Sequence, residues 1–319
     1  MERDSDSIHE IAVIGCGLMG HGIAQTFAQK EYSVTMYDTH HSILEKAISQ
    51  IQSNLDTFIE AGVETEESIK KVLSNIRISL DLRSAVKYAH FVIEAAPEDL
   101  MLKMNLFAEM DRYAHEDAIL ASNTSTLPIS KIGKKVIRKE RLIITHWFNP
   151  PHIIPVVEVV RGEATSQEVF EISYRLLEKI GKRPIKILKE IPGFLINRVQ
   201  TAMFREILSL LELGVATPED IDLGIKGSFG LRLAVIGPLQ TMDMGGLDLM
   251  YKGMKYLYPF IDRSIEVQKI LGKKIERNEL GLKTGEGFFQ YEQKEALAQY
   301  RHSKERDKKL LYLLKTFSE

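Results

Sequence analysis

The sequence predicts an α/β domain built on a parallel sheet, followed by an all-α domain. Three observations carry this. From Ile8 to about Lys189, short β-branched runs alternate with longer helical patterns, the signature of βαβ units. At Ile191-Pro192-Gly193 a breaker pair interrupts the alternation, and beyond it strand-like runs disappear in favour of amphipathic helical segments. The boundary is therefore set at residues 190 and 191, giving domains 1–190 and 191–319.

In chain order, the β-branched runs predict strands at residues 11–14, 34–37, 91–93, 118–120, 142–144, 156–160 and 185–187. Between the second and third lies a helical excursion, residues 42–75, interrupted at Ala61-Gly62 and read as a helical hairpin. After the boundary, helical patterns cover residues 194–213, 218–225 and 247–271. The chain ends in a charged helical segment, 293–319, with Lys304, Arg306, Lys308 and Lys309 set among Leu310, Leu311, Leu313 and Leu314. That segment reads as a solvated or subunit-docking helix.

Composition excludes several classes. With 319 residues and 44% hydrophobic side chains the chain can bury two cores. Its 42 basic and 44 acidic residues leave a net charge of −2, so nothing global calls for nucleic acid or an anionic membrane. A single cysteine, Cys16, rules out an intrachain disulfide and a cysteine-rich zinc site, and no metal is expected. The polar start, Met1 to Ser7, shows no signal or transit pattern, and no apolar run approaches the ~20 residues that cross a bilayer. A cytoplasmic protein is expected.

The sharpest local signal is Ile11-Ala12-Val13-Ile14-Gly15-Cys16-Gly17-Leu18-Met19-Gly20, a strand running into glycines spaced G-x-G-x-x-G and then into a helical pattern. Gly15 suits the tight turn, Gly17 lets backbone approach phosphate, and Gly20 lets helix pack closely on strand. Free N–H groups at the helix start, with Leu18 and Met19 beside them, then face a pyrophosphate. This is the fingerprint of a Rossmann domain. Asp38 follows the second strand, ~20 residues on, where a carboxylate accepts hydrogen bonds from ribose hydroxyls and repels a 2′-phosphate. The following Thr39-His40-His41 supplies no arginine, so NAD is expected rather than NADP.

Three further segments carry polar residues where a structural reading expects none: Ser122-Asn123-Thr124-Ser125 after one strand, His146-Trp147-Phe148-Asn149 ending another, and Glu158 interrupting a strand of valines. A carboxylate among apolar neighbours is costly unless paired, and a histidine is its cheapest partner. Paired with Glu158, His146 acquires a fixed tautomer and the orientation a general base needs. A backbone-bonded Glu158 and a histidine merely satisfied in the core remain the alternative at this point.

Together, Gly15 to Gly20, Glu94-Ala95-Ala96-Pro97-Glu98, Ser122 to Ser125, His146 to Pro150, Glu158, Pro192-Gly193-Phe194-Leu195-Ile196-Asn197-Arg198 and Lys283 to Phe288 resemble the 3-hydroxyacyl-CoA dehydrogenases, in particular the short-chain 3-hydroxybutyryl-CoA enzymes. The resemblance runs from about Ile11 to Tyr291. It implies NAD-dependent oxidation of the 3-hydroxyl of an acyl-CoA in fatty-acid metabolism, with His146 as base, Glu158 orienting it, and Ser125 and Asn197 hydrogen-bonding the substrate oxygen. It also implies cofactor contacts at Glu98, Lys103 and Asn123, an active site in the cleft between the domains, and a homodimer formed through the helical domain.

Two departures leave the substrate open. Acyl-CoA users of this family carry lysines on the helical hairpin, whereas Glu60-Ala61-Gly62-Val63-Glu64-Thr65-Glu66-Glu67 is acidic here, with Lys70 and Lys71 only afterwards. Arg232 stands ahead of the Gly237-Pro238 turn, where a bidentate clamp on a substrate carboxylate competes with a plain solvent-facing or helix-capping role. The expectation is a short-chain 3-hydroxyacyl-CoA as substrate, with a small hydroxy acid lacking CoA, its carboxylate held by Arg232, as the alternative.

Overall fold

The computed structural model describes residues 5–291 and 296–317. The first residues of the polar start, 1–4, and the opening of the charged tail, 292–295, lie outside the described residues, as do 318–319. The chain divides into two compact units, Met1–Asn197 and Arg198–Glu319. Among the described residues no helix is long and apolar enough to cross a membrane.

In the first unit, β1 (Glu10–Ile14) leads into α1 (Gly20–Ala28), β2 (Ser33–Tyr37), α2 (His41–Glu60) and α3 (Glu66–Ser74). Then come β3 (Ile76–Ser79), α4 (Leu82–Val86), β4 (Phe91–Glu94), α5 (Leu100–Tyr113), β5 (Ile119–Ser122) and α6 (Ile129–Ile132). β6 (Leu142–Trp147), β7 (Val156–Val160), α7 (Gln167–Lys179) and β8 (Arg183–Ile187) complete it. The strands form one eight-stranded sheet in the order β3-β2-β1-β4-β5-β6-β7-β8. This is the doubly wound order, in which the reversal between β1 and β4 opens a crevice at the strands' carboxyl ends.

The sheet is covered on both faces, so its central strands are continuous apolar runs rather than alternating ones. One core layer packs Ile23, Phe27, Leu44, Ile51, Phe170 and Leu176 against Val13, Val34 and Ile143. The other sets Val86, Phe107, Met110 and Ile132 against Ala12, Val92, Leu120 and Ile144.

Two features differ from the sequence expectation of a seven-stranded parallel sheet. β3 joins the edge beside β2, a short strand whose polar Arg77 and Ser79 hid it from a hydrophobicity reading. β7 runs antiparallel to β6, with His146 opposite Glu158 in register. The connection of residues 148–155 is too short for the crossover of a dozen or more residues that a parallel neighbour needs.

The first unit also continues past the Pro192-Gly193 breaker. Phe194, 1% exposed, fills the core layer that holds Leu120 and Ile144, so the chain leaves this unit only after Asn197.

α8 (Ile196–Glu212) opens a wholly helical run: α9 (Pro218–Ile225), a π-helical turn Lys226–Gly230, α10 (Leu231–Leu233), α11 (Pro238–Gly245), α12 (Leu247–Leu257), α13 (Lys269–Glu276) and α14 (Ala296–Phe317). The α9 start is well specified: the Thr217 side chain accepts from the Asp220 N–H, and Pro218 occupies the first helical turn. The single helix expected over 247–271 is corrected to two, α12 and α13. Pro259 and the Asp262 carboxylate, which accepts from Ser264 N–H and Gln268 Nε2, hold the chain in a non-helical path between them.

Candidate active site

The dinucleotide loop is built as its glycines require. Gly15 has φ +92°, and a Cβ there would lie 2.8 Å from the Ala95 and Ala96 backbone. A Cβ on Gly20 would lie 1.9 Å from the Gly15 carbonyl oxygen, so only glycine lets α1 approach β1. Gly17 has nothing within 4 Å of the position its Cβ would take, and Leu18 is 68% exposed. The open side of the loop is therefore the one a pyrophosphate needs, and the residues fit a dinucleotide. Asp38, at the end of β2, accepts from the Cys16 N–H at 2.8 Å through Oδ2 and from the Thr39 N–H through Oδ1, tying the loop to the next strand.

At the end of β6, His146 Nδ1 lies 2.7 Å from Glu158 Oε2, with the two side chains 4% and 0% exposed. The cross-strand register places them face to face. Glu158 Oε1 accepts two backbone N–H groups, from Leu195 at 3.0 Å and Ile196 at 2.9 Å. The carboxylate is thereby fully engaged, which compensates its burial. The His146 ring is flanked by Phe148 at 4.6 Å and Phe194 at 5.7 Å between centroids. With Nδ1 committed to Glu158, the far nitrogen, Nε2, is the one that can exchange a proton with a bound molecule.

The Ser122–Thr126 turn after β5 is held by Glu98. Its Oε1 accepts from Thr124 Oγ1 at 2.6 Å, from the Ser125 N–H at 3.1 Å and from the Thr126 N–H at 3.0 Å. Burial pushes the Glu98 carboxyl up, but these donors and the nearby Lys103 charge outweigh it and hold it below the usual carboxylate range. Asn197 donates to the Ser125 carbonyl at 3.2 Å, so Ser125 and Asn197 are neighbours. Asn123 Oδ1 accepts the Trp147 N–H at 2.9 Å and links the ends of β5 and β6.

Lys103 is placed differently from an open cofactor contact. It is 1% exposed, donates to Glu94 Oε1 at 2.6 Å and to the Ala96 carbonyl at 3.0 Å, and lies 3.5 Å from Glu98. Glu94, which no sequence argument singled out by itself, is the hub of this buried network, also accepting from Ser122 Oγ at 2.6 Å. Burial pushes its carboxyl up, opposed by the Lys103 charge and those hydrogen bonds. Its sequence signal is the one that marked Glu158: a carboxylate closing an apolar strand, Phe91-Val92-Ile93-Glu94.

On the hairpin, Lys71 pairs with Glu31, and Asp56, Glu66 and Glu67 are exposed alongside Lys46 and Lys70. In the second unit, Arg232 lies exposed on α10, with no ion pair among the described residues.

Residues 10–191 match the 3-hydroxyacyl-CoA dehydrogenase NAD-binding domain, and residues 193–291 match the 3-hydroxyacyl-CoA dehydrogenase C-terminal domain. The chain is 36% identical over 293 residues, 91% of its length and 94% of the relative's, to 5-formyl-3-hydroxy-2-methylpyridine 4-carboxylate 5-dehydrogenase of Mesorhizobium japonicum. It is 38% identical over 288 residues, 90% of its length and 99% of the relative's, to a probable 3-hydroxybutyryl-CoA dehydrogenase of Bacillus subtilis. A solved structure of a 5-formyl-3-hydroxy-2-methylpyridine 4-carboxylic acid 5-dehydrogenase, described as an NAD+-dependent dismutase, superposes with a TM-score of 0.90 at 33% identity, covering 98% of this chain and 99% of the other. The chain belongs to the 3-hydroxyacyl-CoA dehydrogenase family of NAD-dependent oxidoreductases, carrying that family's NAD-binding domain followed by its helical C-terminal domain.

Proposed function

We propose that this enzyme oxidises a hydroxyl-bearing carbon of a small free carboxylic acid, with His146 as general base, and runs the same step in reverse as a carbonyl reduction. The single observation that carries the chemistry is the buried 2.7 Å contact between His146 and Glu158. His146 Nε2 removes the hydroxyl proton, while Glu158 holds Nδ1–H and stabilises the imidazolium that forms. Bound NAD supplies the acceptor for the hydride that leaves the same carbon. The Ser125 hydroxyl and the Asn197 amide hold the substrate oxygen on which the proton is exchanged. Gly15, Gly17, Leu18, Met19 and Gly20 receive the pyrophosphate, Asp38 the adenosine ribose, and the turn braced by Glu98, Lys103 and Asn123 lines the nicotinamide end.

Two observations support a substrate without CoA. The hairpin presents acidic side chains, and one of its three lysines, Lys71, is taken by Glu31, so a nucleotide phosphate meets repulsion there. One relative, whose structure superposes with a TM-score of 0.90, acts, by its name, on a pyridine carboxylate. Arg232 is proposed to hold the substrate carboxylate. The second reading, a 3-hydroxyacyl-CoA thioester, is supported by the 38% identical 3-hydroxybutyryl-CoA relative.

The test is NADH formation from NAD with a panel of 3-hydroxyacyl-CoA thioesters, free hydroxy acids and hydroxymethyl or formyl aromatic carboxylates. Free acids are expected to exceed thioesters at least about tenfold in kcat/KM, and Arg232→Met to raise KM for the preferred acid. Turnover of thioesters alone would overturn the substrate assignment.

We further propose a homodimer formed through the second unit. Among its described side chains only Gln268, Asp307 and Leu311 are buried, while Leu231, Leu249, Tyr256 and Phe260 are exposed, and Phe204, Leu208, Leu211 and Phe288 line an apolar groove of about 760 Å³. Apolar exposure on this scale marks a subunit interface. Sedimentation equilibrium at twice the monomer mass is the expected result.

A further inference from the structure

Lys182 is a buried cationic side chain of the first unit that the proposed chemistry does not use. It stands just before β8, is 8% exposed, and has no carboxylate within ion-pair distance among the described residues. Burying an ammonium group without a counter-charge costs several kcal/mol even after relaxation. The position is nevertheless filled by a lysine whose Nζ donates to the Pro151 carbonyl at 2.6 Å and the Ile154 carbonyl at 3.0 Å, and lies 5.1 Å from the centre of the Trp147 ring.

These three contacts all fall on one piece of chain, the β6–β7 connection. It begins beside His146, and Pro150, Pro151 and Pro155 leave it few N–H donors of its own. Within it, the Ile153 and Ile154 N–H groups both donate to the Pro150 carbonyl. At one end, Trp147 packs 6.0 Å from Phe27 of α1 between ring centroids. In the middle, Pro151 and His152 press on α1 so closely that a Cβ on Gly22 would lie 2.8 Å from each. His152 also stacks 5.9 Å from Phe58 of α2. One short connection therefore spans the strand end that carries His146 and the first turn of the helix behind the glycine loop.

We infer that Lys182 is a positioning residue, which clamps this connection at Trp147, Pro151 and Ile154 and so sets the His146 ring relative to the dinucleotide loop. It touches neither. Its amine is well suited because its N–H donors reach two carbonyls and its head group sits over an aromatic face where no carboxylate is present. Burial pushes this lysine down to about 7, consistent with the absence of any paired charge.

The inference rests on the reading of His146 as base, and its test separates the two. The full-length protein is prepared as Lys182→Met and Lys182→Gln, and each variant's far-downfield proton spectrum is compared with the parent's for the Nδ1 proton shared by His146 and Glu158. The expected result is a shifted or broadened resonance in a cooperatively melting variant that binds NADH within a few-fold of the parent. On the substrate selected by the panel, kcat falls about tenfold or more while KM for NAD changes little, since an ångström of misplacement alone costs up to about a hundredfold. The glutamine variant, which keeps donors for a carbonyl, retains more of both signals than the methionine variant. An unchanged resonance and unchanged kcat in a folded variant overturn the inference, as does failure of both variants to fold, which would make Lys182 part of the folding core alone. An inactive parent whose resonance still depends on Lys182 would fail the functional reading and leave this one standing.

Discussion

Glu158 faces His146 across two antiparallel strands, one carboxylate oxygen 2.7 Å from Nδ1 and the other shared by the Leu195 and Ile196 N–H groups. One side chain thus fixes the His146 imidazole and ties down the start of α8. Glu158→Gln is expected to lower kcat by about 10²–10³-fold with NADH affinity retained, because the amide favours the wrong imidazole tautomer. Glu158→Ala should in addition lower stability by about 1–3 kcal/mol, since two buried N–H groups lose their acceptor. Stopped-flow turnover and urea unfolding read the two effects, and parental turnover in Glu158→Gln would remove Glu158 from the mechanism.

His146→Ala should abolish proton abstraction, reducing turnover by about 10²–10⁴-fold, while fluorescence titration shows NADH bound nearly as in the parent. Retained turnover would refute its assignment as base.

The glycines separate folding from binding. Gly20→Ala has no room, its Cβ falling 1.9 Å from the Gly15 oxygen, and a lowered melting temperature is expected. Gly17→Ala meets nothing within 4 Å and should melt as the parent does, yet bind NADH about tenfold or more weakly because the methyl occupies the phosphate side. Equal NADH affinity in Gly17→Ala would show that the pyrophosphate lies elsewhere.

Asp38→Ser should narrow the preference for NAD over NADP, since the carboxylate that repels a 2′-phosphate is gone. Asp38 also accepts the Cys16 N–H, so NADH affinity is expected to fall as well. The ratio of kcat/KM for the two cofactors is the measurement, and an unchanged ratio would count against a ribose role.

Lys182 gives a pH signature in stability. Its folded-state value is lowered to about 7 from an unfolded value near 10.4, so between these limits the unfolded chain holds a proton that the folded chain has released. The burial cost is felt in full below about pH 7 and fades as pH rises. The stability of the parent relative to Lys182→Met should therefore increase from pH 7 to 10. Denaturant melts at several pH values test this, a flat difference being the contrary outcome.

Much of the site was legible in one dimension because its signals are local. The glycine spacing, Asp38 after the second strand, and a lone carboxylate among valines each reflect a constraint acting within a few residues, and the structure places the first two at strand ends and Glu158 in the middle of β7 of the same sheet. The family resemblance implies Lys103 as a cofactor contact, yet its position is decided by Glu94 at the end of β4, whose carboxylate holds it in the interior. Lys182, in Gly181-Lys182-Arg183-Pro184, carries no sequence signal at all, because the carbonyls it serves lie about thirty residues earlier in the chain.

The sequence by itself determined the fold class and the dinucleotide loop and offered the His146–Glu158 pairing as one of two readings, since periodicity, glycine conformation and the cost of an unpaired carboxylate are properties of short segments. Only the tertiary structure decided that β7 runs antiparallel, that Phe194 extends the first unit beyond the Pro-Gly breaker, and that Leu195 and Ile196 complete the Glu158 shell. These depend on which backbone groups meet across long sequence separations, and burial there is set by packing rather than by residue type.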